Sequence, residues 1–318
     1  MPIQEHFDLS FGTSSGSMVN MALYGLGMPL DDVYNLFKTL SERIFRGRNP
    51  FGIGFAAAAH ALVSSYYYGQ FPSADIDGVL RELLGDTTML DNSYTMSIGA
   101  RIGFPIVNVP TLQTCVATSY NGVGKAPEAC YRVLRSGGPS DEISIRDAYF
   151  TPHAIPGHGT FYDGELSDHN PGTLMLQELR RLDPNFSCPD QLVSVGTGVC
   201  KSDHTETEAA ATMRVNSLYQ TYHHYLQYNF NGIQQFEKMR DMIKVSTVTQ
   251  DKDVDQWIRR FDLPVEGPPA DLADPAAIDS LGAAAWAYFA PHPEVHNLAR
   301  SIIASTFYFQ LRQMPVYE

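Results

Sequence analysis

Hydrophobic and polar residues alternate strictly near the start of the chain. In the run 6–11, Phe7, Leu9 and Phe11 alternate with His6, Asp8 and Ser10, and a period of two predicts a strand. The turn Gly12-Thr13-Ser14-Ser15-Gly16 follows, and then an apolar run over 18–26, long enough for about two to three helical turns. The period then lengthens. Leu30, Val33, Leu36, Phe37, Leu40 and Ile44 recur every three or four positions, which predicts an amphipathic helix over 29–43. Pro29 suits its first turn, and Asp31 and Asp32 suit the positive end of its dipole. Residues 73–84 repeat the design, with Ile76, Val79, Leu80, Leu83 and Leu84 on one face.

Further along, 115–118 reads as a short strand, 173–182 as a helix carrying Leu174, Leu176 and Leu179, and 191–195 as a strand running into Gly196-Thr197-Gly198. Strands alternating with helices predict a mainly parallel sheet covered on both faces. The expected fold is α/β: a three-layer α/β/α sandwich. The character changes after about Ser202. Residues 206–230 are helix-prone and rich in Tyr and His, 264–275 form a Pro-rich break, and 295–311 are helix-prone with Ile302, Ile303, Phe307 and Phe309. The expected division is a core domain over 1–200 and a mostly helical C-terminal extension over 201–318.

Composition sharpens this picture. With 44% apolar and 18% charged residues in 318, there is ample material for a core, and disorder of the whole chain is excluded. Lys and Arg number 22 against 35 Asp and Glu, a net charge of −13. That balance excludes nucleic acid as a partner and opposes strong docking on anionic membranes unless one face is locally basic. The first residues, Met1 to His6, lack the basic and apolar regions of a signal peptide. The longest mostly apolar stretch, 55–63, contains His60 and is too short to span a bilayer. The expected location is the cytoplasm, with peripheral contact to membranes. Cys115, Cys130, Cys188 and Cys200 form no C-x-x-C pair and no zinc-like spacing, so free thiols in a reducing compartment are expected, with no metal site.

Two segments offer chemistry. Residues 12–16 match G-x-S-x-G, with a predicted strand before and a predicted helix after. A nucleophilic serine needs a strained strand-to-helix turn that exposes its hydroxyl. Flanking glycines relieve crowding in that turn, and the following helix directs N–H groups at a developing oxyanion. The second segment is Phe161-Tyr162-Asp163-Gly164-Glu165, followed by Asn170-Pro171; read alone, it is a turn with Asp at its first corner. The ten histidines include His153, His158, His169, His204, His223 and His224. A histidine-based triad would need several strands and an oxyanion loop ahead of the elbow, and the eleven residues before Gly12 hold neither. The adjacent His223 and His224, among tyrosines, read as an interface face, since neighbouring residues on a helix point apart.

Taken together, residues 7–198 resemble the patatin-like phospholipase family, fungal members especially. The resemblance rests on F-D-L-x-x-G-T-S-S-G from Phe7, on F-Y-D-G-E-L-S-D-H-N-P from Phe161, and on V-S-V-G-T-G at 193–198. It implies a Ser–Asp dyad without histidine. Ser14 would be the nucleophile and Asp163 its base, with Gly12, Ser15 and Gly16 forming the elbow and an oxyanion donor, and Gly164 completing the Asp-Gly turn. The implied reaction is calcium-independent hydrolysis of fatty acyl esters of phospholipids or galactolipids, without a cofactor, through an acyl-Ser14 intermediate.

The chain also departs from the family. The family's Asp-Gly-Gly-Gly-x-x-Gly oxyanion loop precedes the elbow, and the eleven residues before Gly12 contain no glycine. The R-x-T-S-A-A-P helix is absent after Ile145-Arg146-Asp147-Ala148, and Glu165 stands where the family has a small residue. The competing expectation is therefore an incomplete or catalytically impaired relative that binds lipid or partners without efficient turnover. An inner strand missing beside the first would also leave the chain poorly soluble or marginally stable.

Overall fold

A computed structural model describes residues 2–45, 82, 88–90, 92–121, 132–134, 153–155, 158–164, 167–186, 188–201, 232–245, 254–266 and 276–312. The predicted helices at 73–84 (apart from Glu82) and 206–230, most of the Pro-rich break, and Cys130, Glu165, His204, His223 and His224 lie outside these residues.

A 3-10 turn, Ile3–His6, leads into strand β1 (Leu9–Phe11), which is shorter than the alternation predicted because His6 belongs to the turn. Helix α1 (Ser15–Asn20) passes directly into a π-helical turn, Met21–Gly25, and then comes α2 (Leu30–Phe45). Helix α3 (Ser93–Ile98) starts at Asn92, whose side chain accepts from the Thr95 N–H, and stops at Gly99, where φ is 71°. Both ends follow ordinary capping chemistry. Five strands follow: β2 (Arg101–Asn108), β3 (Thr114–Thr118), β4 (Arg132–Leu134), β5 (His153–Ile155) and β6 (Gly159–Asp163). Helix α4 (Gly172–Leu182), β7 (Leu192–Val195) and β8 (Val199–Lys201) come next. The remaining elements are α5 (Gly232–Val245), α6 (Val254–Trp257), β9 (Ile258–Phe261), β10 (Pro264–Glu266), α7 (Ala276–Phe289) and α8 (Pro293–Arg312).

Among the described residues, the main sheet has six strands in the order β4-β3-β2-β6-β5, with β1 also paired to β2. It is mixed, which corrects the expectation of a mainly parallel sheet. Pairs β1–β2 and β3–β4 are parallel, whereas β2–β3, β2–β6 and β5–β6 are antiparallel. The connections 109–113 and 156–158 are too short for a crossover, so the strands they join must reverse direction. Two smaller ladders, β7–β9 and β8–β10, are parallel and join residues on both sides of position 200.

Alternation along the strands sorts the core. Ile102, Phe104 and Ile106 of β2 cluster with Cys115, Ala117, Ile155 and Phe161, against Met21, Ala22, Leu23 and Tyr24 of the π turn and Val33 and Leu40 of α2. Val116, which points to the opposite face, packs with Phe11 and with Leu174 of α4. A separate cluster joins Leu176, Leu192, Phe236, Met239, Trp257 and Ile258. Helix α7 reaches α2 through Lys38 Nζ and Asp279 Oδ2 at 2.5 Å, and His6 Nδ1 lies 3.0 Å from Thr306 Oγ1 of α8. Among the described residues, no helix is long and apolar enough to cross a membrane. Cys115 and Cys188 are in no disulfide.

Strand β2 organises everything near the motifs. One edge carries β3. The other edge is shared end to end by two strands, since β1 pairs with residues 101–103 and β6 with residues 106–108. The Asn108 N–H donates to the Gln113 carbonyl, whereas the Gly103 carbonyl accepts from Gly12. Even-numbered backbone groups of β2 therefore face β3, and odd-numbered ones face the shared edge. Pro105 has no N–H to give, and it sits where neither β1 nor β6 asks for one.

Candidate active site

Ser14 occupies the turn between β1 and α1 with φ 52° and ψ −120°. Among the described residues, it and Leu112 are the non-glycine positions with positive φ. Such a conformation costs roughly 1–3 kcal/mol and persists only where its surroundings enforce it. Here the Gly16 N–H donates to the Thr13 carbonyl and the Ser17 N–H to the Ser14 carbonyl, both at 2.9 Å. The Ser17 hydroxyl donates to the Gly12 carbonyl at 2.6 Å, and the Gly12 N–H reaches the Gly103 carbonyl at 3.2 Å. Ser14 thus holds a strained conformation on a sharp turn between a strand and a helix.

The two motif glycines have different reasons. A Cβ on Gly12 would lie 2.4 Å from the carbonyl carbon and oxygen of Gly16, so only glycine fits. A Cβ on Gly16 would meet nothing within 4 Å, which leaves open space beside the turn. The Ser15 N–H, at the start of α1, has no hydrogen-bond acceptor among the described residues.

Asp163 ends β6 opposite Ile106 of β2. Opposed residues share a face, so its side chain lies on the side of Ile102, Phe104 and Ile106, where the π turn that continues α1 packs. Phe11 ends β1 opposite Gly103. The two strand ends thus approach one another along the same edge of β2, with Phe104 and Pro105 between their registers. Gly164 makes this approach possible, because a Cβ there would sit 2.1 Å from the Pro105 carbonyl oxygen. The fold brings the Ser14 and Asp163 segments to one place. Among the described residues no hydrogen bond joins their side chains, and such contacts often tighten only when substrate binds.

Two residues that sequence reasoning passed over tie the segments together. The Thr13 hydroxyl donates to the Asp168 carbonyl at 2.6 Å, and the Asp168 N–H donates to the Gly164 carbonyl at 2.9 Å. The Asp168 carboxylate accepts from Thr114 Oγ1 of β3 at 3.4 Å. Thr13 fills a free position of the motif, so no local signal marks it.

Burial pushes the Asp168 carboxyl above its ordinary value, opposed by hydrogen bonds from Ser167 and Thr114. A raised carboxyl holds its proton more tightly folded than unfolded. Its stabilising contribution is fully present below about 3.8, the unperturbed value, and is lost as pH rises through the folded value. Asp168→Asn is therefore expected to melt higher than the unmodified chain at neutral pH, with the difference shrinking as pH falls. Calorimetric scans across a pH series check this; a variant that melts lower at neutral pH would show the carboxylate to be a net stabiliser.

The third motif joins the same network. Asn170 Nδ2 donates to Ser194 Oγ at 3.0 Å, and Asn170 Oδ1 accepts from the Gly172 N–H at 3.0 Å, at the start of α4. Arg260 Nη1 donates to Ser194 Oγ at 2.7 Å, and Arg260 Nε pairs with Asp262 at 2.6 Å. Gly198 takes φ 102°, a conformation that side chains rarely adopt. A cleft of about 510 Å³ opens here, lined by Phe11, His169, Met175, Leu192, Ser194 and Arg260 among others. It borders β1 just before the elbow and the chain just after Asp168, while Ser14 and Asp163 are not among its lining residues. Burial lowers the pKa of His169 and so disfavours its imidazolium form. His153 lies in β5, and His158 lies in the turn between β5 and β6.

No protein-family model matches the sequence. The chain is similar to the calcium-independent phospholipase A2-gamma of Rattus norvegicus, with 24% identity over 220 residues, covering 67% of this chain and 27% of that protein. The Homo sapiens protein of the same name is 22% identical over 223 residues, covering 67% of this chain and 26% of that protein. The cGAMP-activated phospholipase of Pseudomonas aeruginosa is 27% identical over 201 residues, covering 62% of this chain and 54% of that protein. The chain thus spans about a quarter of the length of the mammalian proteins. Its described strands and helices form a mixed α/β arrangement, and it has homologues among phospholipases of both mammals and bacteria.

Proposed function

We propose that this chain is a lipid acyl hydrolase of the patatin-like kind, with Ser14 as nucleophile and Asp163 as general base. On this reading a three-layer α/β/α core over 1–200 is followed by a mostly helical part over 201–318, whose strands β9 and β10 pair with β7 and β8. The observation that carries it is the strained φ of Ser14 at the turn between β1 and α1. The head-on approach of the Asp163 strand along the same edge of β2 supports it, as does the similarity to phospholipases.

The chemistry follows from those positions. Asp163 accepts the Ser14 hydroxyl proton as Oγ attacks the ester carbonyl. The Ser15 N–H faces the developing oxyanion, where a preorganised donor in a water-poor site has its largest effect. The leaving alcohol takes the proton, and the acyl group remains on Ser14. Water then gives a proton to Asp163 and attacks the acyl carbonyl, and the fatty acid leaves as Asp163 returns that proton to Ser14 Oγ. No step uses a metal or cofactor. The cleft beside Phe11, with Met175 and Leu192 on its walls, offers room for part of an amphiphilic substrate. The substrate is a phospholipid or another fatty acyl ester, met at a peripheral membrane surface.

The test is covalent labelling. A fluorophosphonate is expected to modify Ser14, and Ser14→Ala is expected to lose both the label and fatty acid release from phosphatidylcholine vesicles in the presence of EGTA. Labelling that persists in Ser14→Ala removes Ser14 from the mechanism. A second reading, a lipid-binding relative without turnover, is favoured by the cleft, whose lining does not include Ser14 or Asp163. Labelling at Ser14 without fatty acid release would support it.

A further inference from the structure

The geometry points to Thr13 as a positioning residue that holds the Ser14 turn against the Asp163-Gly164 turn through the backbone of Asp168. This inference rests on the Ser14–Asp163 reading above and concerns how that pair is kept in register. The turn at 12–16 is anchored to β2 on one side, by the Gly12 N–H on the Gly103 carbonyl at 3.2 Å. On the other side it is anchored by the Thr13 hydroxyl on the Asp168 carbonyl at 2.6 Å.

Asp168 is itself fixed twice. Its N–H donates to the Gly164 carbonyl at 2.9 Å, an oxygen that also accepts from the Ser167 N–H at 2.9 Å and the Ser167 hydroxyl at 3.2 Å. Its carboxylate accepts from Thr114 of β3. The path from Ser14 to Asp163 therefore runs through the Thr13 side chain, two hydrogen bonds and the Gly164 carbonyl. Without the Thr13 hydroxyl, each turn stays attached to β2, and the described hydrogen bond that ties one to the other is lost. The fold survives and the spacing loosens. Reaction rates are steeply sensitive to such spacing, with misplacement by about 1 Å costing up to about a hundredfold.

A G-x-S-x-G pattern allows any residue before the serine. Only a donor at the right height can reach the Asp168 carbonyl, and the Thr13 methyl restricts χ1 so that the hydroxyl is held ready.

Thr13→Val keeps the branched shape and removes the donor; Thr13→Ser keeps the donor and removes the methyl. With p-nitrophenyl esters, the valine variant is expected to lose roughly ten- to a hundredfold in kcat, with KM within about twofold and fluorophosphonate labelling slowed in parallel. The serine variant is expected to recover most of kcat. A valine variant with unchanged kcat overturns the inference, and so does a serine variant that falls as far as valine, since shape rather than the hydrogen bond would then matter. If the valine variant does not melt cooperatively, Thr13→Ser against Thr13→Cys makes the same comparison, because the two differ mainly in donor strength. Absence of labelling in the unmodified chain would instead count against the Ser14 reading itself, so the two failures are distinguishable.

Discussion

Asp163→Asn is expected to lower ester hydrolysis by roughly 10² to 10⁴-fold, the usual worth of a positioned general base, while leaving the melting temperature nearly unchanged. The carboxamide has the same shape, so the end of β6 and its pairing with Ile106 are preserved. What is lost is the proton acceptor proposed for Ser14. Fluorophosphonate labelling should slow with turnover, because both need the Ser14 hydroxyl to be activated. A variant hydrolysing near the original rate would remove Asp163 from the mechanism, and the described histidines nearest the cleft, beginning with His169, would become the candidates to test.

Gly12→Ala is expected to have the largest effect on stability. The added methyl would meet the backbone of Gly16 at 2.4 Å and the Ser17 nitrogen at 2.6 Å. Backbone atoms cannot rotate away as a side chain can, so the turn must open. That would break the Ser17 hydroxyl bond to the Gly12 carbonyl and release the strain at Ser14. A loss of about 3 kcal/mol or more is expected, a fall of roughly 6–12 °C in Tm for a domain of this size. Gly16→Ala is the control, since its methyl enters open space, and it should fold with little change. Equal melting temperatures for the two variants would show that the turn is looser than described.

The elements that were legible in the sequence are those whose signal is local. The turn at 12–16 carries its own glycines, α2 its three-and-four spacing, and α4 its leucines, and all three lie close to where the pattern put them. The central strand β2 was not legible. Its eight residues are buried on both faces except at the ends, so apolar and polar positions do not alternate, and Gly103 and Pro105 read as breakers. Without β2 the mixed pairing could not be foreseen, because among the described residues β2 carries three of the five ladders in that sheet. The candidate site shows the same divide. Ser14 and Asp163 sit in recognisable motifs, whereas Thr13 and Asp168 acquire a role only through a hydrogen bond spanning 155 positions. The network of Arg260, Ser194 and Asn170 likewise depends on long-range contacts.

Because β1 and β6 meet end to end along one edge of β2, that strand acts as a ruler. The interval from Gly103 to Ile106 sets the separation of the two motif-bearing strand ends, although neither residue takes part in chemistry. Inserting two residues between them would keep every side chain on its original face, yet would move the strand ends apart by about 6.8 Å. Inserting one would do less in distance and more in damage, since it would turn half of β2 inside out. The spacing of the proposed nucleophile and base is thus encoded in a stretch of Phe104 and Pro105 that carries no catalytic signature, and length changes there are expected to silence the proposed site while both motifs remain intact.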